Sequence, residues 1–110
     1  MEKIRRPWGL FKTFVLNKKC TVKILEIKPK QELSLQKHKK REEHWYFFDN
    51  AVVQIGKSKK KVKVGTEIVI KKNQEHRIIA EKNKVSILEI SFGTFDEKDE
   101  IKLEDKYGRK

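Results

Sequence analysis

Apolar and polar positions alternate in short runs along this chain, and no convincing 3.6-residue helical period occurs before the charged tail. The runs are bounded by Gly, Pro, Asn or clusters of Lys, which are turn signals. Pro7-Trp8-Gly9 predicts a turn that pins one aromatic ring at the end of a basic leader. Residues 10–16 (LFKTFVL) predict a first strand, with Asn17, Lys18 and Lys19 as its turn. Residues 20–28 (CTVKILEIK) are rich in β-branched side chains and predict a second. Pro29 closes it, because proline cannot donate to a ladder. Residues 33–38 (LSLQKH) predict a short extended segment with Ser34, Gln36 and His38 on one face.

Residues 39–42 are charged and cross over to 43–48 (EHWYFF), where Glu43, Trp45 and Phe47 share a face. Asp49-Asn50 is a hairpin-type turn into 51–55 (AVVQI). Gly56 to Lys60 read as a polar turn, with further strands starting at 62 and spanning 67–70. After a loop at 71–75, residues 76–80 (HRIIA) and 85–92 (VSILEISF) predict the last long strands. The tail, EKDEIKLEDKYGRK, reads as either a short helix or an extended clasp. Eight or nine short strands at this spacing predict an all-β sandwich or barrel with a short charged C-terminal tail.

Composition narrows the function classes. With 110 residues, of which 36% are hydrophobic and 40% charged, a single domain spanning 1–110 is expected. The net charge of +12 suggests an anionic partner. Nucleic acid is disfavoured, because only five of 28 basic residues are Arg, the residue suited to bidentate base reading. The Lys residues are also spread over every turn, as on a solvated surface, and a phosphorylated small molecule would be served by the same charge. The single cysteine, Cys20, excludes a disulfide within the chain and reads as a small buried residue opening a strand in a reducing compartment. MEKIRRPWG has no apolar signal region, and no apolar run approaches the roughly 18 residues of a membrane span. A cytoplasmic protein is expected, and exposed strand edges favour a homodimer.

The chemistry concentrates in QKHKKREEHW, residues 36–45. Gln36, His38 and Glu43 would face one point, and His76 sits in a second short strand segment. Two nitrogens and two oxygens suit a borderline divalent ion such as zinc, iron, cobalt or manganese, with room for water or substrate. Each residue also has an ordinary structural reading: a hydrogen-bonded strand histidine, a turn-capping Gln36, a Glu43 paired with Arg41 or Lys39. His44 points away from Glu43 by strand alternation. Glu89 is an acid in an otherwise apolar strand, where burial would raise its pKa; its ordinary reading is an outward-facing residue on the surface.

Four motifs in order carry a resemblance: RPWG (Arg6 to Gly9), VKILEIKPKQELSLQKH (22–38), REEHW (41–45) and LEDKYGR (103–109). Together they resemble the cupin domain of type II phosphomannose isomerases, which follows a guanylyltransferase domain in the bifunctional mannose-1-phosphate guanylyltransferase/mannose-6-phosphate isomerase enzymes. The resemblance implies a cupin barrel, a double-stranded β-helix or jelly roll. It implies a divalent metal, zinc first, on Gln36, His38, Glu43 and His76, and a sugar-phosphate substrate served by Arg109. The implied reaction interconverts mannose 6-phosphate and fructose 6-phosphate. That reaction needs stabilised oxygens, a base near the carbon-bound proton and cations for the phosphate. Glu89 is the candidate base, and Asp105 and Tyr107 are expected to orient Arg109 or touch the sugar.

The chain departs from the family pattern with Asn50 for a usual glycine, Lys39-Lys40 for a His-rich crossing, Lys72 near the place of a usual proline and Lys102 for a usual Arg. These departures keep open a non-catalytic or differently specific cupin that binds a sugar or nucleotide sugar in surface polysaccharide synthesis. No guanylyltransferase activity is expected of this chain.

Overall fold

A computed structural model describes residues 2–108. The first two strands, β1 (Glu2–Arg6) and β2 (Gly9–Thr13), form a hairpin that is a sheet of its own. The basic leader is therefore a strand, and the expected strand at 10–16 ends at Thr13. The rest of the chain builds two facing antiparallel sheets. One has the order β3 (Thr21–Ile27), β10 (Val85–Gly93), β5 (Arg41–Phe47), β8 (Glu67–Ile70). The other has the order β11 (Glu100–Glu104), β4 (Leu35–His38), β9 (His76–Ile79), β6 (Ala51–Ile55), β7 (Ser58–Val62).

Alternation decides what enters the space between the sheets. Along β5, Arg41, Glu43, Trp45 and Phe47 are buried while Glu42, His44 and Tyr46 are only partly covered. Trp45 and Phe47 join Val53, Ile70, Ile78 and Ile87 in one apolar cluster. Each such side chain contributes about 1.5–3 kcal/mol when fully buried. Along β10, Val85, Ile87, Glu89 and Ser91 face inward, so an acid occupies one position of an apolar row.

Two local expectations change and one open alternative is decided. Ser58–Val62 is a strand and not a turn, because Lys59, Lys60 and Lys61 stand on the sheet edge. Lysines there keep an edge from pairing with foreign strands and hide the period-2 signal. The tail adopts the extended alternative: after a 3-10 turn at Glu97–Asp99, β11 pairs with β4. Cys20 is exposed, just ahead of β3, and is not a core residue.

Gly93 ends β10 opposite Arg41 with φ 104°, and a Cβ there would collide with the Lys40 carbonyl. The backbone can approach this closely only without a side chain. Asp99 fastens the same crossing from the tail side, its carboxylate accepting from the Lys39 and Lys40 amides at 2.8–3.2 Å. Among the described residues, no helix is long and apolar enough to cross a membrane.

Candidate metal centre and cavity

Strands β4 and β9 are neighbours, and Gln36 is the cross-strand partner of His76. Inward alternation puts His38 beside His76, with ring centroids 4.8 Å apart. Glu43 reaches the pair from the opposite sheet: one carboxylate oxygen lies 3.4 Å from His38 Nε2 and the other 3.7 Å from His76 Nε2. All three residues are at most 3% exposed, and ligand-type atoms of all three lie within 4.8 Å of one another. Sandwich packing is what joins two sequence segments more than thirty residues apart.

The hydrogen bonds fix which atoms are lone pairs. His76 Nδ1 lies 2.7 Å from the Gln74 carbonyl, which only accepts, so Nδ1 carries the proton. His76 Nε2 is then an acceptor facing a carboxylate oxygen, and it is buried without a hydrogen-bond partner. His38 Nε2 lies 3.2 Å from the Arg41 guanidinium, which only donates, so it too presents a lone pair. Its Nδ1 is buried without a hydrogen-bond partner.

Burial holds both imidazoles neutral, lowering the His38 pKa to about 4 and that of His76 below its usual value, while Glu43 pulls the other way. Two neutral imidazoles and a carboxylate with ligand-type atoms within 4.8 Å of one another form a donor set that suits a divalent cation, although the Arg41 guanidinium faces the His38 Nε2 lone pair.

Arg41 and Trp45 set the carboxylate. Arg41 Nε donates to one Glu43 oxygen at 3.0 Å and Trp45 Nε1 to the other at 3.2 Å. Trp45 also packs edge-on to His76 at 5.4 Å. The ordinary reading of Glu43 as the partner of Arg41 is thus present together with the convergence on the histidines. The sequence named Arg41 as a partner for Glu43 but placed it in the charged crossing; β5 begins at Arg41, which puts it on the inward face with Glu43.

Glu43 and Arg41 end in a cavity of about 390 Å³ between the edge strands β3 and β11, which neither His38 nor His76 lines. Gln36, Arg41, Glu43 and Glu89 line its floor, with Lys23 from β3 and Glu100 and Lys102 from β11. The Gln36 amide, oriented to satisfy both of its ends, donates its NH₂ to Glu100. Phe95 closes one side between two cations, with Lys23 Nζ 3.8 Å and the Arg41 guanidinium 4.4 Å from its ring centre. Lys23 is the cross-strand partner of Glu89, a neighbour that no local sequence signal marks.

Glu89 is 7% exposed. Burial, reinforced by the Glu43 charge, raises its pKa to about 7, against the pull of Lys23, Arg41 and a Trp45 hydrogen bond.

The described part of the closing motif lies elsewhere. Tyr107 donates to Gln31 Oε1 and accepts from the Glu32 amide at 3.4 Å, and Lys106 Nζ donates to the Lys30 carbonyl at 2.7 Å. Arg77 holds the same region, pairing with Glu32 at 3.2 Å and Glu104 at 3.4 Å. Neither Asp105 nor Tyr107 lines the cavity, and Arg109 lies outside the described residues. His44, as expected, faces outward, edge-on to Phe92.

Comparison with known proteins agrees with this architecture. A cupin protein from Bacteroides fragilis superposes with a TM-score of 0.61 at 16% identity, over 76% of this chain and 84% of that one. The fold is a cupin fold. The Xanthan biosynthesis protein XanB of Xanthomonas campestris pv. campestris is 31% identical over 98% of this chain and 24% of its own length. The mannose-1-phosphate guanylyltransferase ManC of Salmonella typhimurium is 30% identical over 98% of this chain and 23% of its own. The chain thus spans about a quarter of these curated relatives. The profile described as "Mannose-6-phosphate isomerase C-terminal" matches residues 1–105, and the chain belongs to that family.

Proposed function

We propose that this chain is a single cupin domain, 1–110, and a cytoplasmic metal-dependent isomerase that interconverts mannose 6-phosphate and fructose 6-phosphate. The observation that carries the reading is one cavity lined both by Glu43, which converges with His38 and His76, and by Glu89, whose pKa is near neutral. His38, Glu43 and His76 would hold the ion, with Gln36 beside them as the fourth ligand, and zinc is the first candidate ahead of manganese, cobalt or iron. When bound, the ion would supply a Lewis acid for the sugar oxygens.

The chain's own residues supply the rest. Ionised Glu89 takes the proton from C2 of the open-chain aldose and returns it to C1, while the O2 hydroxyl proton passes to O1 through the enediol, so that Glu89 ends ionised as it began. Arg41 holds the Glu43 carboxylate, and Lys23 and Lys102 place positive charge at the rim for an anionic sugar. Arg109 is assigned to catalysis and to the substrate phosphate on the family resemblance, with Asp105 and Tyr107 in support. Purified, metal-loaded protein is expected to turn over mannose 6-phosphate and to lose this in Glu89→Gln and Arg109→Ala. Failure to turn over with zinc, manganese, cobalt and iron alike refutes the proposal.

One observation favours a second reading. Tyr107 is fastened to Gln31 and Glu32 and does not line the cavity, which suits a clasp better than a substrate contact. A non-catalytic cupin that binds a sugar or nucleotide sugar in surface polysaccharide synthesis would then fit. Calorimetric binding of sugar nucleotides in preference to sugar monophosphates, without turnover, distinguishes it. We also infer a homodimer.

A further inference from the structure

The outward face of the β3-β10-β5-β8 sheet has an unusual charge pattern. Of the 110 residues in the chain, 28 are Lys or Arg, yet no outward strand position of this sheet carries either. The charged side chains there are acids, Glu26, Glu42 and Glu67. Among them Val22, Ile24 and Val69 are 56%, 62% and 47% exposed.

The β1–β2 arm is the complement. It carries Lys3, Arg5, Arg6 and Lys12, and it exposes Trp8 at 73%, Leu10 at 37% and Phe11 at 39%. Trp8 stacks on Phe11 at 6.5 Å, with the Arg6 guanidinium 5.4 Å from the same ring, so the apolar and cationic groups share one surface. The arm pairs with no other strand, and a two-stranded ribbon is marginal by itself in water. Its base lies on the chain's own sheet: Lys12 Nζ donates to Tyr46 at 2.9 Å, Phe14 packs edge-on to the same ring, and Phe14 and Leu16 line hollows with Ile90, His44 and Phe92 of the middle strands, which leaves the outward positions of β3 and β8 open.

We propose that the partner is a second copy of this chain, each arm lying across the outward face of the other copy's β3-β10-β5-β8 sheet. Every copy has one basic, apolar arm and one acidic, apolar face, so a two-fold pairing uses both surfaces twice. The area suffices. Taking ~180 Å² for a fully exposed large apolar residue, the exposed parts of the arm, of Leu16 and of the three face residues come to roughly 700 Å² per copy. A standard interface buries about 800 Å² per partner. This gives the inferred homodimer its surface and is independent of the chemistry in the cavity.

Sedimentation of the full chain over a concentration series tests it. The wild type is expected at twice its 13.2 kDa chain mass. Ile24→Lys on the face and Trp8→Ala on the arm are each expected to raise the dimer dissociation constant at least ~10-fold, as for a buried anchor. Both positions are exposed in the single chain, and circular dichroism checks that the fold is kept. Mixing the two variants is expected to recover a heterodimer tighter than either variant alone, since one arm–face contact is then intact and the other, already broken by either change, loses little more from the second. Arg5→Glu/Arg6→Glu replaces the arm variant if Trp8→Ala yields too little folded protein. A wild type monomeric at ~100 µM, a dimer that neither variant weakens, or no recovery on mixing overturns the proposal.

Discussion

Replacing Glu89 by Gln should raise the stability of the metal-stripped protein, and increasingly so with pH. In the fold, burial and the Glu43 charge raise the Glu89 pKa from 4.5 to about 7. The folded state therefore binds this proton more tightly than the unfolded chain does. Its contribution is fully present below pH 4.5 and is lost as pH rises through 7. Relative to a neutral amide of the same shape, ionisable Glu89 costs about 1 kcal/mol at pH 5 and about 3 kcal/mol at pH 8, at 1.36 kcal/mol per pKa unit.

Urea denaturation followed by circular dichroism at the two pH values measures the gap, with the chelator present in both. A Glu89→Gln advantage that does not grow between pH 5 and pH 8 refutes the claim that Glu89 is ionised at a cost in this interior. Turnover should behave oppositely. If ionised Glu89 is the base, wild-type kcat/KM rises with pH through about 7, and the amide variant is slow at every pH.

His76→Ala should lower metal content after dialysis at least ~10-fold by elemental analysis, and Arg41→Ala should weaken metal affinity by roughly 10–100-fold through the loosened Glu43 carboxylate. Equal metal content in all three proteins counts against the proposed centre. Gly93→Ala should destabilise the fold by about 1–3 kcal/mol or more, because its φ of 104° and the nearby Lys40 carbonyl both oppose a Cβ; an unchanged melting temperature contradicts this. Tyr107→Phe should cost about 1 kcal/mol in urea titrations through its lost bond to Gln31, and if Tyr107 acts as a clasp kcat stays within a few-fold. A large loss of kcat at unchanged stability would instead support the substrate role expected for Tyr107.

Much of the strand pattern was legible because alternation is a local property. Residues 43–47 read correctly from their period, and the last long strand was legible with Glu89 as its acid, while the inward direction of Glu89 came from the structure. β1 and β7 were not legible, since neither buries a regular apolar row: one lies in an exposed arm and the other is a lysine-covered edge. β11 was left open between helix and strand because it extends by pairing with β4, 60 or more residues earlier.

At the candidate site, residue types were readable and mutual contacts were not. The sequence itself determined which side chains share a strand face, that His44 turns away from Glu43, and that an acid sits in an apolar strand. The tertiary structure decided that β4, β9 and β5 meet across the sandwich, that Arg41 reaches both Glu43 and His38, and that Lys106 and Tyr107 fasten to the 30–32 loop. The reason is physical: alternation follows from backbone geometry over a few residues. Which faces meet depends on burying apolar surface between strands far apart in the chain, and no local pattern records that choice.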